Sequence, residues 1–173
     1  MKRIHIISGL AALAGFAAPR VISAQAVEVI GIEVGATVPA SIPVEDLDGN
    51  PVNLADYLGS KPAVIEFWAT WCPLCAALLP QLEAAQRQYG DSVEVIIVAV
   101  AVNQSRNSIR RHLARHPMPG HLFWDATGAA TRAFEAPSTS YVVTVGRDRK
   151  VAYTGLGDRQ RLDVAVGRAV GGR

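Results

Sequence analysis

Cysteine is scarce in this 173-residue chain: there are two, and only two residues separate them, in "EFWATWCPLCAALLP". A secreted domain held by disulfide staples is usually small and carries four or more cysteines closing long loops. This chain is half hydrophobic and long enough to bury one ordinary core. Closing so short a loop removes little entropy from the unfolded state, so the pair is poorly placed as a stabiliser. Excess charge of one sign is also missing. The first 26 residues hold Lys2, Arg3 and Arg20 and no acid, and beyond them 14 basic residues face 15 acidic ones. That balance lacks the clustered positive charge that binding to nucleic acid requires. Internal repeats, low-complexity linkers and a disordered composition are absent as well.

The N-terminus begins with a short cationic stretch, followed by an apolar run from Ile4 to Ala18 interrupted by His5, then small residues ending in Ala24-Gln25-Ala26. This is the layout of an export signal, and the run is short for a bilayer span. The expectation is a signal peptide over 1–26, with a retained membrane anchor as the alternative, and one domain over 27–173. Either reading places the domain in the periplasm or another extracytoplasmic space. No twin-arginine pair is present, which favours export in the unfolded state.

Past the signal, short apolar pieces flank Asp48-Gly49-Asn50 and predict two strands joined by a turn, followed by a helical turn at Leu54 to Leu58. "AVIEFW" predicts a strand buried on both faces, with Glu66 as its only acid. From Pro73 to Tyr89, Leu78, Leu82, Ala85 and Tyr89 lie on one helical face that ends at Gly90-Asp91. A second central strand over Val93 to Val102 precedes a polar helix in "SRNSIRRHLARHP" with Ile109 and Leu113 facing inward. "HLFWD", a short helix through Ala129 to Phe134, strands at "SYVVTV" and "VAYTG" and a last helix near Arg161 to Val170 complete the chain. This order predicts an α/β layered domain with a central mixed sheet flanked by helices.

Cys72 falls at the start of the long helix with Pro73 at its first position, where a missing N–H does no harm. Free backbone N–H groups and the positive end of the helix dipole favour an anion there, so they stabilise the Cys72 thiolate, the attacking species in thiol–disulfide exchange. Cys75, one turn inward, is within reach to resolve a mixed disulfide and is better shielded. Trp68, in the strand, is expected in the core, and Trp71 on an exposed apolar rim that a protein substrate would touch.

On these residues the segment "FWATWCPLC" resembles the active site of thioredoxin-fold proteins, and its surroundings are most similar to the TlpA-like thiol–disulfide oxidoreductases, over roughly residues 35 to 166. Pro80 matches that family's helix proline. The resemblance implies a thioredoxin-like three-layer fold with extra N-terminal strands. It also implies reduction of protein disulfides without an organic cofactor and a membrane thiol-transfer protein as electron donor. It further implies a substrate-holding loop opposite the cysteines whose proline is cis. In "FEAPSTSYVV" that residue is Pro137, yet three residues rather than two separate it from Tyr141, which leaves Ser138 as an alternative for the position. Glu66, six residues before Cys72, matches a buried carboxylate beneath the second cysteine. Desolvation there raises its pKa and suits it to accept the Cys75 proton.

Two alternatives concern metals. The same thiolates suit Cu(I), giving a copper-delivery module as a second functional reading. His112 and His116, spaced i and i+4, with Met118 and His121 following, are more simply part of a solvated basic face than metal ligands. Arg106, Arg110, Arg111 and Arg115 belong to that same face, and no metal site is expected.

Overall fold

The computed structural model describes residues 30–171, so the expected export signal lies outside the described residues. Its framework is a seven-stranded mixed sheet in the order β2-β1-β5-β4-β3-β6-β7. β1 (Pro43–Glu45) and β2 (Pro51–Asn53) form the expected hairpin around the Asp46–Asn50 turn. That turn is closed by Asp46, whose carboxylate accepts the N–H groups of Asp48 and Asn50. A 3-10 turn follows at Leu54–Tyr57.

β3 (Ala63–Trp68) occupies the middle of the sheet, parallel to β4 (Glu94–Val100) and antiparallel to β6 (Tyr141–Val145). All six of its residues are buried, as a continuous apolar run between two strands requires. β5 (His121–Asp125), the "HLFWD" segment, extends the parallel part beside β4, and β7 (Val151–Leu156) pairs antiparallel with β6.

Two cores lie on opposite faces of this sheet. One holds Ile65, Phe67, Phe134, Tyr141 and Val143 and is closed by the N-terminal segment, the 3-10 turn and α3 (Ala129–Ala133). The other holds Val64, Trp68, both cysteines, Leu78 and Leu82, covered by α1 (Pro73–Tyr89), α2 (Arg106–Leu113) and α4 (Leu162–Gly171). The period of two along β3 sends Ile65 and Phe67 to the first face and Val64 and Trp68 to the second. The helix face read from the sequence is the one that packs: Leu78, Leu82 and Ala85 are buried. Among the described residues no helix is long and apolar enough to cross a membrane.

Candidate active site: a disulfide at a helix N-terminus

The cysteines sit where the parallel strands end and the chain turns into α1, the usual place for a site in an α/β sheet. β3 runs out at Trp68, Ala69 opens a turn by accepting the Cys72 N–H, and Cys72 is the N-cap of α1 with Pro73 at N1. The loop is tied down from the next strand. Gln104 accepts the Thr70 N–H at 2.9 Å while donating to the Val100 carbonyl at 2.6 Å, and the Trp71 indole N–H donates to the Val102 carbonyl at 2.8 Å.

Cys72 and Cys75 are joined as a disulfide, with Cα atoms 5.3 Å apart. Cys72 Sγ accepts the backbone N–H of Cys75 at 3.1 Å, one of the helix donors otherwise left without a partner. The same contact awaits the sulfur as a thiolate, where a charged acceptor makes the bond stronger. Cys72 is 6% exposed and Cys75 1%, so the expected order of accessibility holds.

Glu66 is fully buried on the cysteine face. Its neighbours across the sheet, Ile97 and Val142, belong to the same core as the disulfide, and so do Val64 and Trp68 on either side of it in β3. Neither carboxyl oxygen has a protein hydrogen-bond partner. Burial without compensation pushes the Glu66 carboxyl up to about 8, so it holds a proton near neutral pH and can exchange it.

Trp68 is buried, whereas Trp71 is 47% exposed. Trp71, Val100 to Val102, Asp125 and Ala136 to Thr139 share the lining of a cleft of about 510 Å3, which neither cysteine lines. Pro137 and Ser138 therefore line the same cleft as Trp71, and both are exposed. The expectation of a cis-proline does not hold: among the described residues there is no cis peptide bond, and Pro137 is trans. The segment turns by another route, with left-handed backbone at Glu135 (φ 48°) and Ser140 (φ 60°). Ser140 is the last of the three residues between Pro137 and Tyr141. Its N–H donates to the Phe67 carbonyl at 2.8 Å and its own carbonyl accepts from Gln160 Nε2 at 3.1 Å, which compensate for a conformation unusual outside glycine.

Sequence reasoning missed two features of the site. Asp125, buried at the end of β5, accepts the N–H groups of Ala130 and Thr131 and the Thr131 hydroxyl, and so anchors the helix that carries the Ala136–Thr139 wall. The Gly128 turn before a five-residue helix was the only signal for it. Second, a cavity of about 210 Å3 on the α2 side of the disulfide is lined by Cys72, Cys75, His112, His116 and Met118. His121, grouped with them in the sequence, lies elsewhere, beside Tyr57 and Glu94. Among the described residues no three His, Cys, Asp or Glu side chains are grouped to hold a metal ion.

Comparison with known proteins agrees with this geometry. The Redoxin family model matches residues 33–170. The thiol-disulfide oxidoreductase YkuV of Bacillus subtilis is 31% identical over 81 residues, covering 45% of this chain and 55% of that protein. MTB DsbF, solved in mixed oxidised and reduced forms, superposes with a TM-score of 0.64 at 25% identity, covering 78% of this chain and 98% of that one. A secreted Mycobacterium tuberculosis disulfide oxidoreductase shares the fold, with a TM-score of 0.61 at 22% identity over 75% of this chain and 94% of that one. Matches to three curated relatives span 37%, 58% and 55% of those proteins' lengths. The chain belongs to the redoxin family, with the fold and the paired cysteines of a TlpA-like thiol–disulfide oxidoreductase.

Proposed function

We propose that the protein reduces disulfides in other proteins by dithiol exchange, in an extracytoplasmic compartment. The observation that carries this reading is the Cys72 sulfur at the N-cap of α1, hydrogen-bonded by the Cys75 N–H and covalently paired with the more deeply buried Cys75. In the reduced protein the Cys72 thiolate attacks one sulfur of a substrate disulfide, and the other substrate sulfur leaves as a thiolate. In the fraction of molecules whose Glu66 is ionised, which grows as pH rises toward about 8, Cys75 gives its proton to the Glu66 carboxylate and attacks Cys72 Sγ, which restores the intramolecular disulfide and releases the second substrate thiolate. Substrate lies in the cleft between Trp71 and the Pro137-Ser138 wall, where backbone groups of an extended segment can pair with the loop.

The reducing direction rests on the resemblance to TlpA-like proteins, as does an electron donor in the form of a membrane thiol-transfer protein. Export rests on the sequence of residues 1–26 and corresponds to a mature N-terminus near Val27. The test is mutational. Cys72→Ser abolishes reduction of insulin disulfides, and Cys75→Ser accumulates mixed disulfides with substrate. Faster alkylation of Cys75 than of Cys72 by iodoacetamide would overturn the assignment. An equilibrium potential well below that of glutathione is expected for a reductant, and one well above it contradicts that direction. Retention of one Cu(I) per reduced chain at sub-micromolar concentration would favour the copper-delivery reading instead.

A further inference from the structure

The two cysteines face different surroundings, and only one of them has an acid–base partner in the reaction described so far. Glu66 lies in the core on the sheet face that carries both cysteines. Neither cysteine lines the cleft that Trp71, Pro137 and Ser138 share. Its one buried carboxylate, Asp125, is already taken up by the Ala130 and Thr131 N–H groups and the Thr131 hydroxyl, so the cleft presents Cys72 with no proton-exchanging group without partners. The cavity on the other side of the disulfide does contain such groups. His112, in the last turn of α2, and His116, one turn on, line it together with both cysteines and Met118. The two imidazoles are 4.9 Å apart between ring centroids, and His112 packs edge-on against Trp68 at 5.3 Å. The volume of about 210 Å3 admits several water molecules, each taking about 30 Å3 in the liquid.

We propose that His112 is the proton acceptor and donor for Cys72, acting across this cavity directly or through water. The proposal rests on Cys72 being the nucleophile. The step balances as follows. The Cys72 thiol gives its proton to neutral His112, the sulfur attacks a substrate disulfide, the substrate S–S bond breaks, and the departing thiolate takes the proton back from the imidazolium. Each cysteine then has its own proton carrier, an imidazole facing solvent for Cys72 and a carboxyl in the core for Cys75.

The charges around His112 fit that role. From its own helix and the turn that follows, His116 and Arg115 face it. Trp68 from β3, Ala69 and Thr70 from the loop and Ala76 and Leu79 from α1 add no charge, the two cysteines are the other titratable groups, and no carboxylate lines the cavity. Partial burial, aided by His116 and Arg115, holds the His112 imidazole below its usual range, so it is neutral and ready to accept a proton at pH 7. A thiolate forming opposite stabilises the imidazolium, and by linkage the imidazolium stabilises the thiolate.

Imidazole proton signals of the wild-type protein, followed by NMR from pH 5 to 9 in the oxidised and reduced forms, test this without any substitution. The His112 midpoint is expected to move upward on reduction while that of His121 stays in place; equal behaviour of the two overturns the proposal. In single-turnover mixing of reduced protein with a small aromatic disulfide, His112→Ala is expected to slow the initial attack about tenfold at pH 7 and to remove the lower limb of the pH–rate profile. Added imidazole is expected to restore that rate, which a merely structural role of His112 would not allow. If Cys75 proves the faster thiol to alkylate, the proposed function itself falls. If Cys72 is the faster but the His112 midpoint and the pH–rate profile do not move, the His112 assignment alone is wrong.

Discussion

The two faces of the central sheet share one strand and differ in everything that matters to chemistry. Toward the N-terminal segment, β3 presents Ile65 and Phe67 to a core of Phe134, Tyr141 and Val143, with Phe67 in edge contact with Phe134. Toward α1 it presents Val64, Glu66 and Trp68 to a core that contains a disulfide and an uncompensated carboxyl. One face contributes stability through well-packed apolar surface; the other gives some of it up to hold a carboxyl out of water. A site of this kind needs both, since a raised carboxyl pKa requires rigid, dry surroundings and those are maintained by the rest of the fold.

Substitution on the inert face should act on stability alone. Phe67→Ala, which empties an aromatic site in a packed core, is expected to destabilise the protein by about 3–5 kcal/mol and leave the reduction potential of the cysteine pair unchanged. A shift in potential under conditions where the variant remains folded would show that the faces are not independent.

The same experiment on the reactive face should reverse the sign at alkaline pH. With its folded-state pKa raised from 4.5 to about 8, Glu66 is protonated in the folded protein while ionised in the unfolded chain across that window. Stability is therefore greatest, as far as this group is concerned, below about pH 4.5 and falls as pH rises to 8, by on the order of 4 kcal/mol in all. Glu66→Gln removes this slope, so denaturation at pH 9 is expected to show the variant more stable than the wild type, with the gap narrowing toward pH 5. It should also slow resolution of the mixed disulfide by Cys75 while leaving the attack by Cys72 intact. An unchanged resolution rate from pH 6 to 9 in stopped-flow kinetics would remove Glu66 from the mechanism.

The smallest effect belongs to the rim. Trp71→Ala is expected to raise KM for a protein substrate several-fold, through loss of an exposed aromatic contact, with kcat for a small disulfide nearly unchanged. A fall in kcat instead would mean that the indole's bond to Val102 holds the cysteine loop in place.

Much of this arrangement can be read from local pattern. Strand and helix periods placed β3 and α1, the acid within "AVIEFW" marked Glu66, and Pro73 after Cys72 marked the helix start, because each signal lies within a few residues of its consequence. What was hidden depends on distant segments meeting. The i,i+4 spacing of His112 and His116 says that they share a face but not that the face looks onto a disulfide some forty residues earlier. Pro137 reads locally as a turn residue, whereas the left-handed turn at Ser140 is held by Phe67 and Gln160 on other segments. Asp125 reads as the end of a strand; only the approach of α3 makes it a cap.

The hydrogen bond from the Cys75 N–H to the Cys72 sulfur joins two quantities usually measured apart. A thiolate at that position caps α1 more strongly than a disulfide sulfur does, so the reduced protein gains unfolding free energy that the oxidised protein lacks. The gain is the same free energy that makes the disulfide easier to reduce, at about 30 mV for every 1.4 kcal/mol. Melting the two redox forms side by side thus works as a voltmeter for the cysteine pair, and any change that strengthens the cap on the thiolate more than on the disulfide raises the potential of the pair.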